Sequence, residues 1–384
     1  MSIMGVTFHI VSVLLLSPIL VISSSIYAAT KTTNDTQLTA KITLGRYLFN
    51  DNRLSKTGNR SCALCHASDL GWTNRFAKVP DINGNPTTLN TPSLLNSVML
   101  STFMQRQPHL TTLEDTIKLP LFSLHPPEMG MTHSLLLTRL AQANNVYQPL
   151  FQASFGDQTI TTPKVIDALS QYVATITDTN TAYHAFINGD QTALNRQQQQ
   201  GLALFTSPRL NCSQCHGGPL LNQPQDGDRL YYNTGLYGIK NNIGEYGYPQ
   251  HEIGLRQFTQ QKIDDGKFRI PSLINVMNTG PWGHDGSFNR LEAVIDSYAA
   301  GGRIITIGPN KGDGRRHPNK DQHLQGFTLT TTDKQALLAF FSSLNIRDMS
   351  KDPMHQTPFC QIIPLKTKRD LPDCIAPFPL QQQE

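Results

Sequence analysis

Cys62-Ala63-Leu64-Cys65-His66 and Cys212-Ser213-Gln214-Cys215-His216 decide the reading of this chain. Two thiols with two residues between them sit one helical turn apart, so each can form a thioether with one vinyl group of a haem. The His that follows is then beside the iron and supplies its proximal nitrogen. From the chain's own Cys and His frequencies, one chance CxxCH has a probability on the order of 0.003, and two are far rarer. Zinc would need a second ligand pair, and a thioredoxin-like site a βαβ context. The trailing His in both copies selects haem, so two covalently bound haem c groups are the expected cofactors.

Working outward, the two motifs lie about 150 residues apart, so each can own a domain. Each is also preceded by a similar phrase, Leu44-Gly45-Arg46-Tyr47-Leu48-Phe49 before the first and Gln200-Gly201-Leu202-Ala203-Leu204-Phe205 before the second. That weak internal repeat is consistent with two cytochrome c-like modules. The remaining periodicity is helical. Thr162-Pro163 reads as an N-cap with Pro at N1, followed by Val165, Leu169, Tyr172 and Ile176 on one face. Thr332 to Gln335 forms a capping-box pattern ahead of Leu337, Leu338, Phe341 and Leu344. Leu291, Val294, Ile295 and Tyr298 make another stripe, ended by Gly301-Gly302. Clear β alternation is absent, and Gly/Pro/Asn-rich connections run from Gly71 to Pro92 and from Gly217 to Gly266. The expected fold is mostly α, two cytochrome c-like haem domains with long irregular loops. The expected divisions are a signal peptide over 1–28, an N-terminal haem domain over 29–190, a C-terminal haem domain over 191–350 and a Pro-rich tail over 351–384.

Residues Ile10 to Ile22 are almost all apolar and lead into Ser23-Ser24-Ser25-Ile26-Tyr27-Ala28, the pattern of a secretory signal peptide cleaved after Ala28. No Lys or Arg precedes the run, and an uncleaved anchor is the alternative; both place the rest of the chain outside the cytoplasm, and a periplasmic location is expected. In that compartment the two remaining cysteines, Cys360 and Cys374, can close a disulfide or stay free. The chain is 38% apolar, enough for packed cores, and its net charge of +4 is scattered, so no nucleic-acid footprint is expected.

A set of ordered phrases adds a resemblance over nearly all of the mature chain. They are the stretch from Leu44 to Ser55, the first CxxCH, Asn90-Thr91-Pro92-Ser93-Leu94-Leu95-Asn96, Glu128-Met129-Gly130, the second CxxCH, Phe268-Arg269-Ile270-Pro271-Ser272-Leu273 and His284-Asp285-Gly286. Together they resemble the bacterial di-haem cytochrome c peroxidase/MauG superfamily. The segment from Pro120 to Gly130 is similar to the members associated with methanobactin gene clusters. The resemblance implies that hydrogen peroxide reacts at the N-terminal haem, with His66 as proximal ligand and Glu128 above the open iron. A carboxylate there can take a proton from peroxide and return it to the leaving oxygen. Thr116 stands where the family usually has Gln, and Pro120 is retained. Other members carry a His after the first motif that caps the iron. None occurs here between His66 and His109, which implies an open, five-coordinate haem.

For the second haem the resemblance makes His216 the proximal ligand. Tyr298 takes the opposite position, where the electron-transferring peroxidases have Met and MauG-type members have Tyr. An anionic phenolate stabilises higher iron oxidation states, whereas a thioether raises the potential. A calcium ion between the domains is implied at Asn90, Thr279 and Pro281, through one side-chain and two backbone oxygens. The family's inter-haem Trp is missing from Val98 to Thr112, where Phe103 is the first candidate to replace it; Trp282, a Tyr or direct tunnelling are the alternatives, and Trp72 lies elsewhere. The expected activity is peroxide-dependent oxidation. The electrons come from a small cytochrome or cupredoxin, or from an amino-acid side chain of a partner protein, which Tyr298 and the missing capping His favour. The alternative is a non-catalytic di-haem electron carrier, which the missing Trp and Gln support.

Overall fold

The structure is a computed structural model that describes residues 19–225, 227 and 229–359, with side chains from Asp35 onward. The expected leader lies largely outside those residues, and Cys360 and Cys374 lie wholly outside them. The order of helices is α1 (Ile19–Asn50), α2 (Cys62–Cys65), α3 (Leu113–Phe122), α4 (His133–Ala141), α5 (Asn144–Phe155), α6 (Thr162–Ala174), α7 (Ala182–Ile187), α8 (Arg196–Thr206), α9 (Arg256–Thr259), α10 (Leu291–Ala299) and α11 (Thr331–Ser342). Strands are two residues long and form three antiparallel pairs: Tyr231–Tyr232 with Phe268–Arg269, Ile239–Lys240 with Tyr246–Gly247, and Ile304–Ile305 with Gly312–Asp313. They pin loops rather than build a sheet, so the chain is mostly α. No helix among the described residues is long and apolar enough to cross a membrane.

The repeated phrase explains the architecture. In α1 a Cβ on Gly45 would lie 2.0 Å from the backbone oxygen of Ala168 and 2.6 Å from Cβ of Tyr172, both on α6. In α8 a Cβ on Gly201 would lie 1.9 Å from the oxygen of Ala336 and 2.7 Å from Cβ of Phe340, both on α11. Each glycine therefore lets two helix backbones touch at a crossing. Four residues later a buried Phe fills the wedge beside that crossing. Phe49 meets Tyr172 with ring centroids 5.1 Å apart, and Phe205 meets Phe340 at 5.1 Å. A CxxCH motif follows each crossing. Gly45→Ala and Gly201→Ala are each expected to destabilise the folded protein by about 1–3 kcal/mol, because the obstacle is backbone and no rotamer relieves it. The helix-propensity gain of about 1 kcal/mol works the other way. Thermal unfolding of the haem-loaded variants checks this; an unchanged melting temperature would show that the helices do not cross here.

Several local expectations shift by one or two residues. The cap of α6 is Thr161, whose hydroxyl takes the Lys164 N–H, so Thr162 is already helical. The capping box of α11 is Thr330 with Asp333, because the Asp333 carboxylate reaches back to the Thr330 N–H. The stripe on α10 forms as read, with Leu291 and Ile295 buried; Gly301 and Gly302, both at positive φ, turn the chain back over its last carbonyls. Near the expected boundary at 190, α7 packs with the second crossing: Tyr183 N–H donates to the Ser343 carbonyl and its ring meets Phe340. Residues 349–359 return to the first crossing, where Arg46 Nε donates to the Gln356 carbonyl and His355 lies against Trp72. Lys78 pairs with the buried Glu252 at 2.5 Å, and the Asn90 N–H donates to the His284 carbonyl, tying the two halves together.

Candidate haem-binding active site

Each motif closes a single helical turn. The His66 N–H donates to the Cys62 carbonyl at 2.9 Å, and the His216 N–H to the Cys212 carbonyl at 3.0 Å. Both imidazoles are then oriented from behind. Nδ1 of His66 lies 3.0 Å from the carbonyl oxygen of Trp72, and Nδ1 of His216 lies 2.9 Å from that of Leu221. A carbonyl can only accept, so Nδ1 carries the proton in each ring and Nε2 keeps its lone pair for iron. Burial pushes His66 down to about 4 against the opposing pull of the Trp72 and Pro92 carbonyls. His216 is lowered by burial in the same way. Both rings are thus neutral at ordinary pH, as a metal ligand must be. The carbonyls that aim them come from Trp72 at φ 64° and Leu221 at φ 52°. Bulky residues seldom adopt that left-handed backbone, so each turn is held by its surroundings. Nothing in the sequence marks Trp72 or Leu221 for this task except their position shortly after each motif.

The sulfurs report what stands near them. Burial pushes Cys62 up to about 12 and Cys65 up to about 11, and for Cys65 the negative charge of Glu128 adds to the effect while Arg60 opposes it. Glu128 therefore sits by the first motif, although 62 positions separate it from His66 in the chain (128 − 66). Its own carboxyl is raised above the ordinary range by burial. The strap that carries it is hydrogen-bonded on both sides. The Met129 N–H donates to the Pro120 carbonyl at 3.0 Å, the Met131 N–H to that of Leu121 at 2.9 Å, and the Met129 carbonyl accepts from Lys56 N–H at 2.8 Å. Pro120 and Glu128 so belong to one unit. Pro120 has no N–H, which leaves the Thr116 carbonyl without the donor that a helix supplies from four residues on. The Thr116 hydroxyl donates back to the Thr112 carbonyl at 2.7 Å, so its proton is held within its own helix.

At the second motif the neighbour is Tyr298. Burial raises its phenol, and the charges of Cys215 and Cys212 raise it further. The α10 stripe thus carries Tyr298 to the second site. Among the described residues no hydrogen-bond partner takes its hydroxyl. The donor set fits two c-type haems: paired thiols at each site, two neutral imidazoles with Nε2 available, and a phenol near the second pair.

The residues read as calcium ligands fall on neighbouring loops. Asn90 is buried, and its Nδ2 donates to the carbonyls of Phe76 and Ala77 at 3.0 and 3.2 Å, leaving Oδ1 as the acceptor end. Its bond to His284 brings it to the loop that holds Thr279 and Pro281. Phe103 is buried, and Trp282 is half-buried with Nε1 donating to the Val276 carbonyl at 3.0 Å. His109 is exposed and packs on Phe258, so it is committed away from the first motif.

Comparison with known proteins places this geometry. The family model described as di-haem cytochrome c peroxidase matches residues 39–192. The chain is 28% identical over 306 residues to the methylamine utilization protein MauG of Methylophilus methylotrophus, covering 79% of this chain and 82% of that protein. It is 28% identical over 262 residues to the cytochrome c551 peroxidase of Nitrosomonas europaea, covering 68% and 72%. A solved structure described as a MauG-like protein associated with microbial copper homeostasis superposes with a TM-score of 0.77 at 33% identity, covering 83% of this chain and 93% of that one.

Proposed function

The chain belongs to the di-haem cytochrome c peroxidase/MauG superfamily and is an enzyme of the di-haem peroxidase type, and on that premise we propose that it reduces hydrogen peroxide at the His66 site with electrons drawn through the His216 site. The observation that supports this reading is the hydrogen-bonded strap at Met129 to Met131, which holds the half-buried Glu128 near enough for its charge to reach Cys65 of the first motif. When bound there, haem supplies an iron that takes a peroxide oxygen and accepts electrons. The residues supply the rest. Trp72 fixes the His66 ring so that Nε2 is presented to the metal. Glu128 takes the proton from the near peroxide oxygen and returns it to the far one, so that water rather than hydroxide leaves. The strap bonds to Pro120, Leu121 and Lys56 hold the carboxyl in place for that transfer.

The two glycine crossings, each leading into a CxxCH turn, support a reading of two cytochrome c-like modules. We assign Tyr298 as the second ligand of the second haem. A phenolate there favours the ferric and higher states over a ferrous store, so an amino-acid side chain of a partner protein is the preferred reductant, with a small cytochrome or cupredoxin as the other source. A periplasmic location fits covalent haem attachment and the leader expected over 1–28. The test is to mix ferric protein with stoichiometric peroxide and follow EPR and optical absorption. One high-spin and one low-spin haem with rapid spectral change are expected. Two low-spin haems and no reaction would leave an electron carrier.

Calcium at Asn90, Thr279 and Pro281 would bridge the loops joining the two halves. Removing it with a chelator is expected to destabilise the holo-protein by about 2.7 kcal/mol if the free ion was at a hundred times its dissociation constant. Differential scanning calorimetry with and without added calcium reads this. A melting temperature indifferent to both additions would remove the site.

A further inference from the structure

Behind His66, three polar atoms with no hydrogen-bond partner lie on rings packed together. They are Nε1 of Trp72, Nδ1 of His355 and the hydroxyl of Tyr172. The Trp72 and His355 rings meet edge-on with centroids 5.0 Å apart, and Tyr172 meets His355 at 6.2 Å. Phe49 closes the group, 6.1 Å from Trp72 and 5.1 Å from Tyr172. Trp72 is 1% exposed and Tyr172 fully buried. A buried polar atom left unpaired costs about 1–3 kcal/mol. Three on touching rings mark a place where apolar side chains would pack at lower cost, and native cores rarely keep such groups without a use. Indole and phenol are also the side chains that most readily give up an electron. The indole belongs to the same residue whose carbonyl holds the ring of His66. The chain has only two Trp residues, and the stretch from Val98 to Thr112 has none.

We propose that Trp72 is a one-electron donor to the first haem, with His355 receiving its proton and Tyr172 as the next member of the path. This rests on the peroxide reading above. Hydrogen peroxide takes up two electrons and two protons to give two molecules of water. One electron leaves the Trp72 indole, and its Nε1 proton passes to Nδ1 of His355 once the imidazole, which lies edge-on to the indole with neither nitrogen bonded, turns to bring the two atoms within hydrogen-bond reach, giving a neutral indolyl radical and an imidazolium. Burial and the charges of Arg347 and Arg46 oppose the imidazolium, and Asp352, on the same returning segment as His355, favours it. The second electron arrives by way of the second haem. A phenol electron from Tyr172 can then refill the indole, which takes its proton back from the His355 imidazolium, and the phenol proton passes to the His355 nitrogen so freed. The first oxidation thus needs no aromatic relay between the haems, where Phe103 is hard to oxidise.

The test uses the full haem-loaded chain, freeze-quenched after one equivalent of peroxide, with and without ring-deuterated tryptophan. An organic radical is expected whose EPR lines narrow on deuteration and which is lost in Trp72→Phe. Peptide mass mapping after excess peroxide should find one or two added oxygen atoms on Trp72 and none on Trp282, whose Nε1 is already bonded. His355→Gln should lower the radical yield severalfold with the ferric haem spectrum unchanged. If Trp72→Phe fails to take up haem, the isotope effect and the peptide map on the unaltered chain decide by themselves. Peroxide consumed with no narrowing, or with oxidation on Trp282 instead, would overturn the proposal while leaving the peroxidase reading intact. Peroxide not consumed at all would overturn both.

Discussion

Glu128→Gln is expected to lower the rate of peroxide consumption by about 10²–10⁴-fold, the range over which a positioned proton carrier contributes, with both haems still attached. Gln has the same shape and can still hydrogen-bond, but it cannot take a proton and hand it on. The pH dependence gives a second readout. Burial raises the Glu128 carboxyl, so the proton-accepting form is populated only as pH climbs through a value above the ordinary carboxylate range. In the unaltered enzyme kcat/KM should therefore rise with pH across that limb, and the limb should vanish in the variant. The stability sign separates this from a folding defect. A carboxyl whose folded pKa is raised binds its proton more tightly in the folded state than in the unfolded state. Its contribution is present below the unfolded pKa and is lost as pH rises through the folded one. At neutral pH, Gln in its place should leave stability unchanged or slightly higher. Stopped-flow peroxide consumption, pyridine haemochrome content and thermal melting measure the three quantities. An unchanged rate would take Glu128 out of the chemistry.

Tyr298→Met is expected to shift the reduction potential of the second haem upward by on the order of hundreds of millivolts, because the axial ligand is a principal control of haem potential. Tyr298 is half-buried, and burial of its phenol resists ionisation, while Cys212 and Cys215 carry no charge once they are thioethers. A nearby cation such as ferric iron is what would reverse that balance, and the resulting phenolate would hold the iron oxidised. A thioether carries no charge and favours the ferrous state. Met is also close enough in reach to occupy the same α10 position. Tyr298→Phe, which has no donor atom, should give a five-coordinate second haem instead. Potentiometric titration followed optically distinguishes these outcomes. Potentials and spectra that stay the same in both variants would show that Tyr298 is not a ligand.

How much was legible differs from residue to residue. The CxxCH pairs, the α10 stripe and the Gly45 and Gly201 phrases are local patterns, and each forms as read. The caps moved, from Thr162 to Thr161 and from Thr332 to Thr330. Several hydroxyls in a row can each cap a helix, and only the packed register chooses among them. Phe340, fully buried at the second crossing, was missed because it lies beside the stripe that was read. Thr116 stands where the family usually has Gln, and only the folded helix shows that its hydroxyl proton goes to the Thr112 carbonyl. His355 gave no signal at all: it lies some three hundred residues from Phe49 in a Pro-rich stretch, and only the return of residues 349–359 to the first crossing puts it against Trp72.

The sequence by itself determined the two haem attachment turns, because thiol, thiol and imidazole at fixed short spacing act within one turn of backbone. It also carried the repeated Gly phrases, but that Gly45 and Gly201 lie at helix crossings depended on α6 and α11 packing against them. The tertiary structure decided what surrounds those turns. The carbonyls of Trp72 and Leu221 choose the imidazole tautomer, the strap on Pro120, Leu121 and Lys56 delivers Glu128 to the first site, and α10 delivers Tyr298 to the second. Each of these joins residues distant in the chain, so it depends on how loops close over a packed core and not on any local preference of the residues that meet.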